Sequence, residues 1–319
     1  MVRPPARLAA AALYVFLFLS AFPVLHNFKW GQISILVTLC VLGSLALWQR
    51  GHAVAAGFLL AFATSLKFYP AWFAIALLLR RDWRALSAYA AFCVLFLVAV
   101  PAVALGPHAT LQFYLDVLAQ LRERTVGTLN DVNSQSLEGL LTRLCYSVGS
   151  PWATSLSLFE PIRWSVLAVA LPSTWYALQR TEGGETSAIL ILFCALPFVT
   201  PTSWPHYFVY LPVAFLYLLL GLPADGPRRG LIISLVAVAA LLSNVVFWQV
   251  WNNRTTYSYL GFLFWANALT LVALLLLLFW GRAQGRRSSR ATGAGRAGLG
   301  RGNRAGRRSA RATRRGSER

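Results

Sequence analysis

The sequence predicts an all-α protein: a polytopic transmembrane helix bundle of about ten membrane segments, with interfacial helices in a long connection over residues 106–160. Three observations predict it. The 319 residues are 57% hydrophobic and only 12% charged, about half the charged content of a soluble domain. Ten apolar runs recur, at 8–25, 31–48, 53–66, 68–79, 85–105, 162–178, 186–200, 206–222, 230–250 and 260–280, and most approach the ~20 residues that a helix needs to cross the hydrocarbon core. Basic residues cluster in connections that fall on one face, as they do in cytoplasmic loops. Ten such runs exclude a soluble nucleic-acid-binding protein.

The first run follows Arg3 and Arg7 and imitates a signal peptide, but no small-x-small cleavage site follows it and many spans do, so it reads as an uncleaved first span. The runs 53–66 and 68–79 are short, with Lys67 between them and Pro70 three residues on. They form either one helix kinked at Pro70 or a hairpin, and loop charges decide for the hairpin. Arg80, Arg81, Arg84, Arg180, Arg228 and Arg229 share a face when each intervening run crosses once, and Arg3, Arg7 and Arg50 join them only if 53–79 turns back. Both termini are then cytoplasmic. The extracytoplasmic face receives Lys29, Gln32, Lys67, the 106–160 connection, the turn around Trp204, and Asn252, Asn253 and Arg254. Lys67 is read either as a snorkelling interfacial lysine or as a phosphate-binding cation.

Within 106–160, Phe113, Leu115, Leu118 and Leu121 repeat at helical spacing and predict a helix lying in the interface. In the stretch Asn130-Asp131-Val132-Asn133-Ser134-Gln135-Ser136, Asn133 or Ser134 caps a helix beginning near Ser136, or else Asn133, Gln135 and Ser136 line a polar cavity. Amides and hydroxyls supply both the donors and the acceptors that sugar hydroxyls require. Arg143 is an ion-pair partner or a phosphate contact. Between the runs ending at 200 and 222, Pro201-Thr202-Ser203-Trp204-Pro205-His206-Tyr207-Phe208 places two prolines where no continuous helix can pass, so the stretch predicts a turn presenting Trp204, His206 and Tyr207. The four cysteines show no ligand spacing, and neither a metal nor another cofactor is expected. The domain division is a membrane domain over 1–281 and a disordered cytoplasmic tail over 282–319. The tail holds 13 arginines against one acid, Glu318, and +12 of the net +19 charge. It suits anionic membrane lipid and carries no signal for a specific nucleic acid.

Five stretches together resemble one family. They are Lys29-Trp30-Gly31-Gln32-Ile33; Ala56-Gly57-Phe58-Leu59-Leu60 through Ser65-Leu66-Lys67-Phe68-Tyr69-Pro70; Arg80-Arg81-Asp82-Trp83-Arg84; Asn133-Ser134-Gln135-Ser136-Leu137 through Arg143-Leu144; and Ser203-Trp204-Pro205-His206-Tyr207. The family is glycosyltransferase family 87, polytopic enzymes of the GT-C fold that include polyprenol-phosphate-mannose-dependent α-mannosyltransferases, and the resemblance covers roughly residues 8–280.

The resemblance implies transfer of a hexose, mannose being the family's best-known case, from a polyprenyl-phosphate donor to a lipid or glycan acceptor on the extracytoplasmic face of the cell membrane. It implies Lys67, supported by Arg143 and Arg254, as cations for the donor phosphate. His206 is expected on the leaving phosphate or the acceptor hydroxyl, and Gln32, Tyr69, Asn133, Gln135, Ser136, Trp204 and Tyr207 around the substrates. The family carries its catalytic acid in the first extracytoplasmic loop, whereas residues 26–31 hold no acid. The expectation is therefore a form lacking that span and loop, with Asp131 as substitute base. A transporter or flippase and an inactive scaffold are the competing readings. No repeat relates the two halves, and the polar residues gather on one face, both of which favour an enzyme.

Overall fold

The structure is a computed structural model, and it describes residues 4–122, 131, 133–147, 152–181, 183–222, 228–250 and 254–279. In chain order the helices are α1 (Pro4–Leu19), α2 (Phe22–Lys29), α3 (Ser34–Gln49), α4 (Ala53–Leu66), α5 (Ala74–Arg80), α6 (Trp83–Leu105), α7 (Pro107–Arg122), α8 (Leu137–Ser147), α9 (Trp152–Arg180), α10 (Gly184–Val199), α11 (Leu211–Leu220), α12 (Arg229–Leu242), α13 (Val245–Val250), α14 (Arg254–Tyr259) and α15 (Phe262–Phe279). Among the described residues the only extended pairing is an isolated bridge between Ala21 and Asn244. The fold is thus all-α, as expected. The arginine-rich 282–319 segment lies outside the described residues.

The runs 8–25 and 230–250 each divide into two helices. Pro23 lacks the N–H that would continue α1, so the chain leaves the helix at Ser20 and Ala21 and restarts as α2. The second break, at Ser243 and Asn244, lies against the first. The Phe22 N–H donates to the Ser243 carbonyl (2.8 Å), the Val245 N–H donates to the Ser20 carbonyl (2.9 Å), and Asn244 Nδ2 donates to Ser20 Oγ (2.8 Å). Each interruption supplies the partners that the other has lost.

Residues 53–79 form the hairpin and not a kinked helix. Lys67 is extended (φ −150°, ψ 138°), Pro70 opens a 3₁₀ turn over Tyr69–Phe73, and α5 runs back, so that Asp82 accepts from Trp48 Nε1 (2.8 Å) at the far end of α3. Gly57 allows α4 to lie against α6: a Cβ there would stand 2.6 Å from the Ala85 carbonyl oxygen. At the centre of the core lies α10, with Leu190, Ile191, Leu192, Phe193, Cys194 and Ala195 wholly buried. Phe193 packs between Phe73 (4.2 Å) and Tyr210 (4.6 Å), and Asn267 of α15 bridges the Tyr210 hydroxyl and the Cys194 carbonyl. Among the described residues two helices, α6 and α15, have the length and apolar character to cross a membrane. Along α6, Val94, Val98, Val100, Val103 and Leu105 are exposed, an apolar stripe that suits lipid better than water. The helix expected over Leu111–Leu121 is present as part of α7.

Candidate active site

One end of the bundle holds a cavity of about 500 Å³, where α2, the Lys67 break, the loop before α8 and the 3₁₀ turn Pro205–Tyr210 converge. Its lining comprises His26, Trp30, Gln32, Lys67, Asp131, Asn133, Trp204, His206 and Tyr207. Seven of the residues expected from sequence are therefore brought together from four separate stretches of chain.

Gly31 starts the construction. Its φ of +56° disfavours any side chain, and the turn it makes between α2 and α3 returns Gln32 toward the end of α4. Lys67 Nζ donates to Ser34 Oγ (2.9 Å) and Gln32 Oε1 (3.3 Å) and stands 4.7 Å from the centre of the Tyr207 ring. These partners are all neutral, so the ammonium reaches the cavity with its charge uncancelled. Burial pushes its pKa down to about 8.

Pro205 opens the 3₁₀ turn, and the Tyr207 N–H donates to the Trp204 carbonyl (2.8 Å), which fixes His206 beneath α2. The His206 ring stacks on His26, with centroids 5.6 Å apart and planes 20° from parallel, and meets Tyr207 edge-on at 4.9 Å. Its Nδ1 is buried and has no hydrogen-bond partner. Desolvation, then Lys67, then His26 bring the imidazole pKa down to about 3. The ring is therefore neutral at physiological pH. Asp131 is the one carboxylate among the residues lining the cavity. Its Oδ1 accepts from the backbone N–H (2.8 Å) and side-chain Nδ2 (3.1 Å) of Asn133, an Asx turn that holds both residues at the rim.

Other expected site residues are placed elsewhere. Ser136 is the cap of α8: its Oγ accepts from the Gly139 N–H (3.1 Å) and donates to the Pro201 carbonyl (2.7 Å). Gln135 is buried, with its N–H on the Ser203 carbonyl (2.6 Å) and Nε2 on the Ser258 carbonyl (2.8 Å). Neither lines the cavity, which corrects their expected substrate contacts: the local hydrogen-bonding potential of the loop is used by the backbone. Arg143 is corrected likewise. It is fully buried, and each of its three nitrogens donates to a backbone carbonyl, so no donor fork faces the cavity. Tyr69 stands behind the lining, with its ring 5.1 Å from that of Tyr207. Arg254 begins α14, and its side chain lies outside the described residues, as do Asn252 and Asn253.

Sequence reasoning passed over two lining residues, His26 and Trp30. His26 lies on α2 and Trp30 caps its C-terminal end four residues on, just before the Gly31 turn, with the two rings 6.1 Å apart. That spacing was the available signal, hidden because 22–25 reads as the end of a single apolar run.

A 29% identical relative over 197 residues, covering 60% of this chain, is a polyprenol-phosphate-mannose-dependent alpha-(1-2)-phosphatidylinositol mannoside mannosyltransferase of Mycolicibacterium smegmatis. A protein of the same description from Mycobacterium tuberculosis is 28% identical over 251 residues and 76% of the chain. A pentamannoside mannosyltransferase of M. tuberculosis is 28% identical over 287 residues and 85% of the chain. The matches span 42%, 54% and 60% of those relatives' own lengths. No solved structure gives a significant match. The profile of glycosyltransferase family 87 matches residues 1–201, well over half of the sequence, and the chain belongs to that family.

Proposed function

We propose that the cavity transfers a hexose, mannose in the first instance, from a polyprenyl-phosphate donor to a hydroxyl of a lipid or glycan acceptor. The observation that supports this is the meeting of Lys67, His206 and Asp131, 139 residues apart at their widest, around one cavity that also holds amides and aromatic rings. In the reaction the acceptor oxygen forms a bond to the sugar's anomeric carbon as the bond to the phosphate oxygen breaks, and the leaving polyprenyl phosphate keeps the electron pair. Lys67 neutralises that phosphate, a charge that is stabilised best by a cation already in place. The acceptor proton passes to Asp131 or to neutral His206, whose affinity for protons rises when an anion enters beside it. Gln32 and Asn133 hydrogen-bond the sugar hydroxyls, and Trp204 and Tyr207 lie against its apolar faces. Arg254 is a second cation for the phosphate.

The proposed setting is a multi-pass membrane protein with the cavity on the extracytoplasmic side, the tail cytoplasmic, and membrane lipid around the apolar helices. The exposed stripe of α6 and the basic residues at the opposite end of the bundle support it. The test is transfer of labelled mannose by membranes containing the chain and a polyprenyl-phosphate mannose donor. Lys67→Met and His206→Asn are each expected to lower it about 100-fold or more with insertion intact, and full activity in both variants overturns the site.

A further inference from the structure

Arg143 is a fully buried cation whose hydrogen bonds all run to main chain, and those bonds join two segments far apart in sequence. Nη1 donates to the carbonyls of Asp131 (2.9 Å) and Ser134 (2.7 Å), Nε to that of Tyr259 (3.2 Å), and Nη2 to that of Ser258 (3.4 Å). In return, the Tyr259 hydroxyl donates to the Arg143 carbonyl (3.2 Å). Only a planar fork of donors can reach carbonyls on both sides at once. An ammonium has one nitrogen from which to do so. A buried cation is costly to desolvate, and four carbonyl dipoles aimed at it are what make the burial tolerable.

The place of this junction gives it significance beyond stability. The loop it holds carries Asp131 and Asn133 into the cavity, and the same loop is tied at Gln135 to the Ser203 carbonyl, immediately before the turn that presents Trp204 and His206. We infer that Arg143 is a positioning residue: it sets the 131–136 loop against α14 and the histidine turn, and thereby fixes where the Asp131 carboxylate stands relative to the reacting sugar. It acts through the loop and touches neither substrate.

The test compares hydrogen exchange in wild type, Arg143→Lys and Ser136→Ala in lipid nanodiscs, with the full chain. Arg143→Lys keeps the charge and loses the fork. It is expected to speed exchange of the Ser134, Gln135, Leu260 and Gly261 amides about tenfold or more while α10 exchanges as in wild type. Ser136→Ala removes the α8 cap as well as the bond to Pro201 and is expected to loosen the loop and the first turn of α8 without disturbing 258–261. Unchanged loop exchange in Arg143→Lys, or an equal loosening of α10, overturns the inference.

A kinetic arm rests on the proposed transfer reaction. Arg143→Lys is expected to lower kcat about tenfold with little change in donor KM, and to cause no further loss in an Asp131→Asn background, because residues acting as a unit are not additive. Equal losses in both backgrounds overturn the coupling to Asp131. Failure of wild type to transfer sugar overturns the reaction and leaves the exchange result to decide the positioning role.

Discussion

Lys67 and Arg143 carry the same charge and stand in similar motif-like stretches, yet the fold uses them in opposite ways. Lys67 is half-buried, held by one hydroxyl, one amide oxygen and one aromatic face, none of which cancels its charge. Arg143 is wholly buried, and four of its five N–H donors bond to main-chain carbonyls. The difference teaches that a basic residue becomes available to a ligand when its partners are few, neutral and side-chain in origin. It becomes part of the framework when main-chain acceptors surround it.

The sharpest way to break this contrast is to neutralise each residue in turn. Lys67→Met is expected to reduce transfer about 100- to 1000-fold, as loss of one charge-stabilising donor does, with the thermal midpoint in detergent shifted by no more than ~2 °C. Arg143→Met should do the reverse in stability. Leaving its carbonyls without donors is expected to cost about 3 kcal/mol or more, read as a lowered thermal midpoint. If Lys67→Met unfolds the protein and Arg143→Met does not, the assignments are exchanged. Next in size, His206→Asn is expected to lower kcat about 100-fold with the midpoint unchanged.

The pH profile sharpens the comparison further. Lys67 is charged below its pKa of about 8 and neutral above it, so kcat/KM is expected to fall as pH rises through about 8. Lys67→Arg should remove that limb while keeping part of the activity, since a guanidinium stays protonated throughout. A limb that persists in Lys67→Arg belongs to another group. The smallest effect expected is that of Ser136→Ala, about 1 kcal/mol for a lost helix cap, with kcat changed less than in Arg143→Lys.

What was legible in the sequence follows the same division. The Lys67 hairpin and the Trp204–His206 turn could be read because proline and charge punctuate apolar runs locally, and a turn keeps its residues at the surface that its neighbours define. The fate of the 133–143 stretch could not be read. Gln135, Ser136 and Arg143 look the same in sequence whether they face a sugar or a carbonyl, and their partners lie at 201–203 and 258–259. His26 was missed for a related reason. The break that frees α2 is made by Pro23 and completed by partners at Ser243 and Asn244, and hydropathy averages over both interruptions.

That paired interruption has a consequence for how the molecule is made. Ser20 and Asn244 are 224 residues apart, so the short helix bearing His26 obtains its final backbone partners only after most of the chain has emerged from the ribosome. Contacts of such sequence separation form late. A nascent chain arrested before Ser243 would carry the lysine and both histidines, yet lack the backbone partners of Ser20 and Phe22 that close the break ahead of the first histidine. The paired break, and with it the final seating of α2, is thus closed only when the helices after Ser243 arrive.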